Sequence, residues 1–176
     1  MPLPSREICG ITVPDTLLVA RAMEAARTVS EAVTKAYAGT GRFEVEGADL
    51  ARTLSREHGA GDRRAQLIWY CVALNATLSL SPHAEREVAI CTAGAGIDYA
   101  GFLSEQIPKE TTASIVATFP RLEMKQQLKE CLSRIARERP QTTHENFLRD
   151  FGERFVPGYK PPISTVDLLA NAPFDE

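Results

Sequence analysis

Ala65-Gln66-Leu67-Ile68-Trp69-Tyr70-Cys71-Val72-Ala73-Leu74-Asn75-Ala76-Thr77-Leu78 is the stretch that decides the fold class. Leu67, Ile68, Trp69, Cys71, Val72 and Leu74 put apolar side chains on nearly every side of a helix. A helix of that kind belongs in the middle of a structure, with other elements around it. Asp62 caps its start, and Ser81-Pro82 breaks the chain beyond it. No run of four or more residues alternates apolar and polar with a period of two, so the surrounding elements are expected to be helices as well.

Upstream, a helix over roughly Gly47 to His58 stops at Gly59, a residue suited to the position just past a helix end. Earlier still, Pro14-Asp15-Thr16 opens a helix with Asp15 or Thr16 as N-cap. Leu18, Ala22, Ala26, Val29 and Val33 form its stripe, and Gly39-Thr40-Gly41 ends the segment. Downstream, a helix from about Ala84 to Ala93 runs into Ala93-Gly94-Ala95-Gly96-Ile97-Asp98, where two glycines permit close packing or a bend. Pro108 and Pro120 each stand where the first residue of a new helix would be. The helix after Pro120 carries Leu128, Leu132 and Ile135 on one face and ends before Pro140. Thr143 caps one more, with Phe147 and Phe151. Val156-Pro157-Gly158-Tyr159-Lys160-Pro161-Pro162 reads as extended, and Ser164-Thr165-Val166-Asp167 starts a short last helix as a capping box with Asp in place of Glu.

At 176 residues the chain is expected to be one domain, 1–176, with an N-terminal arm over 1–13 and an extended tail over 156–176. A net charge of −3 with scattered basic residues gives no nucleic-acid surface. No apolar run approaches the ~18 residues of a membrane helix, and the N-terminus lacks the order of a secretory signal, so a cytoplasmic protein is expected. Cys9, Cys71, Cys91 and Cys131 are far apart and form no CxxC pair, which reads as buried free thiols in a reducing compartment.

Few residues fall into a pattern that carries chemistry. His58, His83 and His144 have no histidine four residues away and no HExxH pattern, so no metal constellation is visible. His58 and His83 read as surface residues at a helix end and in a loop; His144 reads as a neighbour of a cap. GxSxG, the P-loop and a GxGxxG after a strand are all absent. Asp98, directly after the glycines, is either a helix cap or a site ligand, and spacing alone favours the cap.

Several strings are more specific than their physics. Arg42-Phe43-Glu44-Val45-Glu46-Gly47-Ala48, Ala93-Gly94-Ala95-Gly96-Ile97-Asp98 and Phe119-Pro120-Arg121-Leu122 resemble segments of the cyanamide hydratase-like branch of the HD-domain metal-dependent hydrolases. So does Asn146-Phe147-Leu148-Arg149-Asp150-Phe151-Gly152-Glu153-Arg154 with Val156-Pro157-Gly158. The resemblance runs from Arg42 to the C-terminus and more loosely over Pro14 to Val33. It implies a compact all-helical HD-like bundle. In that family a histidine, an adjacent His-Asp pair and a later aspartate hold a divalent metal such as zinc or iron, which delivers water to a nitrile-like carbon.

In this sequence the resemblance makes Asp98 the late aspartate. The helices bearing the other ligands have no room in the interval Thr34 to Gly41. Asn75 stands where relatives often carry a histidine, and Cys91-Thr92 stands at another such place. A catalytic zinc site usually needs three protein ligands, so no metal or other cofactor is expected.

Three functions follow as expectations. The first is a diverged, metal-independent enzyme acting on a small organic molecule by hydration, hydrolysis, elimination, isomerisation or cyclisation. Its pocket would be lined by Trp69, Tyr70, Asn75 and Tyr99, with Asp98 or Glu44 as general acid or base. The second is a non-catalytic scaffold that homodimerises through the face uncovered by the missing helices. The third is an ordinary metal hydratase lacking a segment, against which the changes at Asn75 and Cys91-Thr92 argue. For Trp69 and Tyr70 core packing remains the commoner role of such residues.

Overall fold

The computed structural model of the chain describes residues 6–8, 11–13, 39–102 and 104–174. The helix expected over Pro14 to Val33, its caps and Cys9 lie outside the described residues. So does most of the N-terminal arm, of which two three-residue strands are seen: β1 (Arg6–Ile8) pairs antiparallel with β2 (Ile11–Val13), Glu7 opposite Thr12. Three residues are too few for an alternation to register in the sequence. Every other regular element among the described residues is helical.

These elements fall into two units. The first comprises the strand pair and residues 43–122, the second residues 39–42 and 123–174. In the first unit α1 (Phe43–Glu57) begins four residues earlier than Gly47, because Glu44 and Glu46 place acidic side chains at the positive end of the helix dipole. It ends as expected: Gly59 takes φ 82°, and His58 Nδ1 lies 2.8 Å from the carbonyl of Leu54.

The stretch Ala65–Leu78 behaves differently from its composition. Its helix, α2, spans Asp62–Ala73 with Gly61 at the N-cap and Asp62 already in the first turn. Leu74 to Leu80 continue in turns and lead to a 3-10 turn over Ser81–His83. Only Ala65 of α2 is fully buried; Leu67, Ile68, Trp69, Cys71 and Val72 are half-buried and Tyr70 is exposed. The helix is nonetheless the middle one of its unit. One side packs on α1 and another on α3 (Arg86–Ala100), whereas α1 and α3 make little contact with each other.

Helix α3 corrects the expected break after Ala93. It runs straight through Gly94 and Gly96 and past Asp98 to Ala100, with Gly101 at φ 72° closing it. Gly96 therefore serves close packing: a Cβ on it would lie 3.0 Å from Leu78 Cδ2 and 3.4 Å from Phe102 Cδ2. Helix α4 (Lys109–Thr118) follows a 3-10 turn over Ser104–Gln106, with Pro108 at its N-cap.

The second unit is built on α5 (Met124–Glu138), which buries Leu132, Ser133, Ile135 and Ala136 and stops at Arg139, before Pro140. It starts four residues after Pro120, not at it, because Leu122 (φ 42°) and Glu123 (φ 60°) turn the chain through left-handed conformations first. Against α5 packs α6 (Leu148–Phe155). Thr143 does not cap it. Pro140–Thr143 is a 3-10 turn, Phe147 stands at the N-cap, and the side chain that holds the entry to the helix is that of Asn146, one residue earlier. The Asn146 Oδ1 accepts from the Leu148 amide at 3.0 Å while its Nδ2 donates to the Thr142 carbonyl at 2.7 Å. Residues 159–164 carry no regular structure. Then α7 (Thr165–Ala170) begins with the Ser164–Asp167 capping box read from the sequence.

Candidate functional site

Asp98 lies in the last turn of α3, neither capping a helix nor facing a bend. Arg121, just beyond α4, reaches it with both arms of its guanidinium. Nη1 donates to Asp98 Oδ1 and Nη2 to the Asp98 backbone carbonyl, each at 2.7 Å. Both side chains are half-buried, so the pair is shielded enough to hold its geometry without desolvating either charge completely. Phe119-Pro120-Arg121-Leu122 thus acts on the glycine-containing helix α3 from a distance. A single arginine ties the chain after α4 to the C-terminal end of α3, where a cation is also favoured by the helix dipole.

Glu44 sits in the first turn of α1 and is 2% exposed. It and Asp98 belong to helices that each pack on α2 and barely touch one another. Trp69 and Tyr70 are adjacent on α2 with ring centroids 5.3 Å apart in an edge-to-face arrangement. Trp69 Nε1 donates to Asp49 Oδ1 of α1 at 2.8 Å, and Arg52 Nη2 donates to the same oxygen at 2.6 Å. Arg52 completes the bracket by donating from Nη1 to Gln66 Oε1 at 3.2 Å and lying 5.7 Å from the Trp69 ring centroid. The polar end of Trp69 is therefore occupied in joining α1 to α2. Asn75 lies in the turn after α2, its backbone amide donating to the Val72 carbonyl at 3.4 Å. Tyr99 is exposed, as is Phe102 two residues beyond the end of α3. Among the described residues no group of three His, Cys, Asp or Glu side chains is placed to hold a metal ion.

Cys71, Cys91 and Cys131 are half-buried, less enclosed than their apolar neighbourhoods suggested. Two of them meet. Cys71 Sγ donates to the Glu87 carbonyl at 3.7 Å, one helical turn before Cys91, which brings the two thiols under each other's influence. The neighbouring Cys91 thiol, burial and the Glu87 carboxylate hold the Cys71 proton far more firmly than usual. The Cys71 thiol in turn draws the Cys91 thiol below its ordinary value, against burial. Sequence reasoning missed this pair, as it missed Arg121 and Asp49 as partners, because the residues stand twenty or more positions apart and share no motif.

In the second unit the buried Thr143 hydroxyl is hydrogen-bonded to Tyr159 Oη at 2.5 Å and donates to the Pro140 carbonyl at 2.7 Å. Gly152 lies under the Tyr159 ring. Gly152, within the stretch Asn146–Arg154, thus packs against Tyr159, which lies just beyond Val156-Pro157-Gly158.

Comparison with protein-family models, with curated proteins and with solved structures finds no match to this chain.

Proposed function

We propose that the chain is a diverged HD-fold protein of the cyanamide hydratase-like type that works by binding, as a non-catalytic homodimeric scaffold. The observation that carries this reading is the grip of Arg121 on Asp98. Under the resemblance, Asp98 is the surviving metal-ligand position, and a guanidinium now stands beside it. A general base needs an oxygen free to reach a substrate proton in a plausible pose; here one carboxylate oxygen and the backbone carbonyl of the same residue are committed to an internal contact. The Trp69 indole and Asp49 are committed likewise. On the binding side stand Tyr99 and Phe102, 51% and 53% exposed around the end of α3, and large exposed apolar side chains are what a partner covers.

A second reading keeps a metal-independent enzyme acting on a small organic molecule, and Glu44 favours it. Its carboxylate is only 2% exposed, enclosed as the acid–base groups of active sites are. Two measurements separate these readings. Sedimentation velocity at micromolar concentration is expected to show a dimer; a monomer overturns the scaffold. A thermal-shift screen of small nitriles, amides and hydroxy acids, with and without chelator, is expected to show no stabilisation. Stabilisation untouched by chelator and lost in Glu44→Gln supports the enzyme instead.

A further inference from the structure

We propose that Cys71 and Cys91 form a peroxide-oxidisable dithiol that closes into a disulfide between α2 and α3. Cys71 stands in the last turn of α2 and Cys91 in the second turn of α3, two helices packed directly on one another. The carbonyl that accepts from Cys71 Sγ at 3.7 Å belongs to Glu87, four residues before Cys91. In the ordinary ladder of an α-helix that same carbonyl accepts from the Cys91 amide. Cys71 sulfur is thereby fixed over the turn that carries Cys91. Neither residue is sealed in the core. Cys131, also half-buried, lies in the other unit, where Arg134 Nη2 approaches it at 3.6 Å.

The two sulfurs play different parts in the chemistry. The Cys91 thiol is drawn below its ordinary value by the Cys71 thiol, which favours the thiolate, the nucleophilic form. The Cys91 thiolate attacks one peroxide oxygen; an S–O bond forms, the O–O bond breaks and hydroxide leaves to become water. Cys91 is then a sulfenic acid, oxidised by two electrons. Cys71 sulfur attacks Cys91 sulfur, the S–S bond forms, the S–O bond breaks, and a second water departs with the Cys71 proton. The net change is two thiols and one hydrogen peroxide to one disulfide and two waters. The product staples α2 to α3 beside Asn75 and the turn that follows α2.

The test uses the whole native chain. Hydrogen peroxide is added, remaining thiols are alkylated with iodoacetamide, and the protein is digested with trypsin, which cuts after Arg64, Arg86 and Lys109. The expected product is fragment 65–86 joined to fragment 87–109, separated again by dithiothreitol. Before oxidation, Cys91 is expected to be alkylated several-fold faster than Cys131. In Cys71→Ser the reaction stops at the sulfenic acid, which dimedone labels on fragment 87–109, and Cys131→Ser leaves the link unchanged. The proposal is overturned if native protein yields the two fragments unlinked after peroxide, if Cys91 proceeds to sulfinic acid without a link, or if Cys131 reacts ahead of Cys91.

Discussion

Arg121 holds Asp98 by two points at once, the side-chain carboxylate through Nη1 and the backbone carbonyl through Nη2, both at 2.7 Å across 23 positions of sequence. A two-point grip fixes orientation as well as charge, and lysine has no planar fork with which to reproduce it. Arg121→Ala is expected to cost about 1–3 kcal/mol, the range for charge-assisted hydrogen bonds in a half-exposed setting. Arg121→Lys should recover only part of that loss. Asp98→Asn keeps the backbone arm and should cost roughly 1 kcal/mol. Urea unfolding of the three variants checks the order, and equal losses for the Ala and Lys variants with no loss for Asp98→Asn would show that the backbone arm alone matters.

Gly152 and Tyr159 make a second testable contact. A Cβ at Gly152 would come within 2.5 Å of Tyr159 Cε2 and Cζ, and the ring is held in place by its hydroxyl bond to Thr143. Alanine in an exposed helix interior is normally better than glycine by about 1 kcal/mol. Here Gly152→Ala is expected to destabilise by about 1–3 kcal/mol through overpacking. In a Tyr159→Ala background the same substitution should become neutral or favourable. A double-mutant cycle measures that coupling, and simple additivity rules the contact out as the cause.

Trp69 is the only tryptophan of the chain, so its bond to Asp49 can be read optically. Asp49→Ala removes the acceptor from Trp69 and from Arg52 together. The expected outcome is a longer-wavelength tryptophan emission and a loss of about 1–2 kcal/mol. Trp69→Phe, which keeps an apolar ring and gives up the N–H, should cost about 1 kcal/mol. An unchanged emission spectrum in folded Asp49→Ala protein would count against the contact.

The capping box of α7 sets a pH dependence whose sign is determined. The Ser164 hydroxyl and amide both donate to Asp167, and these bonds draw its carboxyl below the usual carboxylate range. A folded value depressed below the unfolded one stabilises the helix above the unfolded value, near pH ~4. The contribution is lost as pH falls through the folded value. Amide exchange at Ser164 and Asp167 is therefore expected to lose protection below roughly pH 4 and to keep it from about pH 5 to 8. Asp167→Asn should abolish the step, and a step that persists belongs to another group.

Two left-handed residues in succession precede α5, and the second of them, Glu123, opens the helix. For a residue with a side chain that conformation costs roughly 1–2 kcal/mol, while glycine gives back part of the gain through its freer unfolded chain. Glu123→Gly is expected to raise stability by up to about 1 kcal/mol, measured by thermal unfolding. A clear loss instead would mean that the Glu123 side chain makes a contact worth more than the strain.

Local signals were legible in the sequence wherever neighbours a few residues apart supply the physics. Gly59 past the end of α1, Arg139 before Pro140 and the Ser164–Asp167 box fall where punctuation places them, since a cap is made by groups within one turn. The all-helical character of the described residues beyond the short strand pair follows from the same patterning. The Gly94–Asp98 segment was ambiguous for a definite reason. Glycine permits both a bend and a close approach, and only the presence of Leu78 and Phe102 against Gly96 selects the second.

Tertiary structure alone decided who meets whom. Composition made Ala65–Leu78 look fully enclosed, yet α2 is covered by α1 on one side and α3 on another and stays half-open between them. The sequence shows Asp98 after two glycines as a carboxylate with no stated partner; the fold brings Arg121 to it. It shows Cys71 and Cys91 as separate thiols; the packing of α2 on α3 sets Cys71 over the turn that carries Cys91. Caps and helix ends depend on contacts within a turn, whereas ion pairs, thiol pairs and the contact face of a helix depend on the packing of distant segments, and spacing along the chain carries no measure of that.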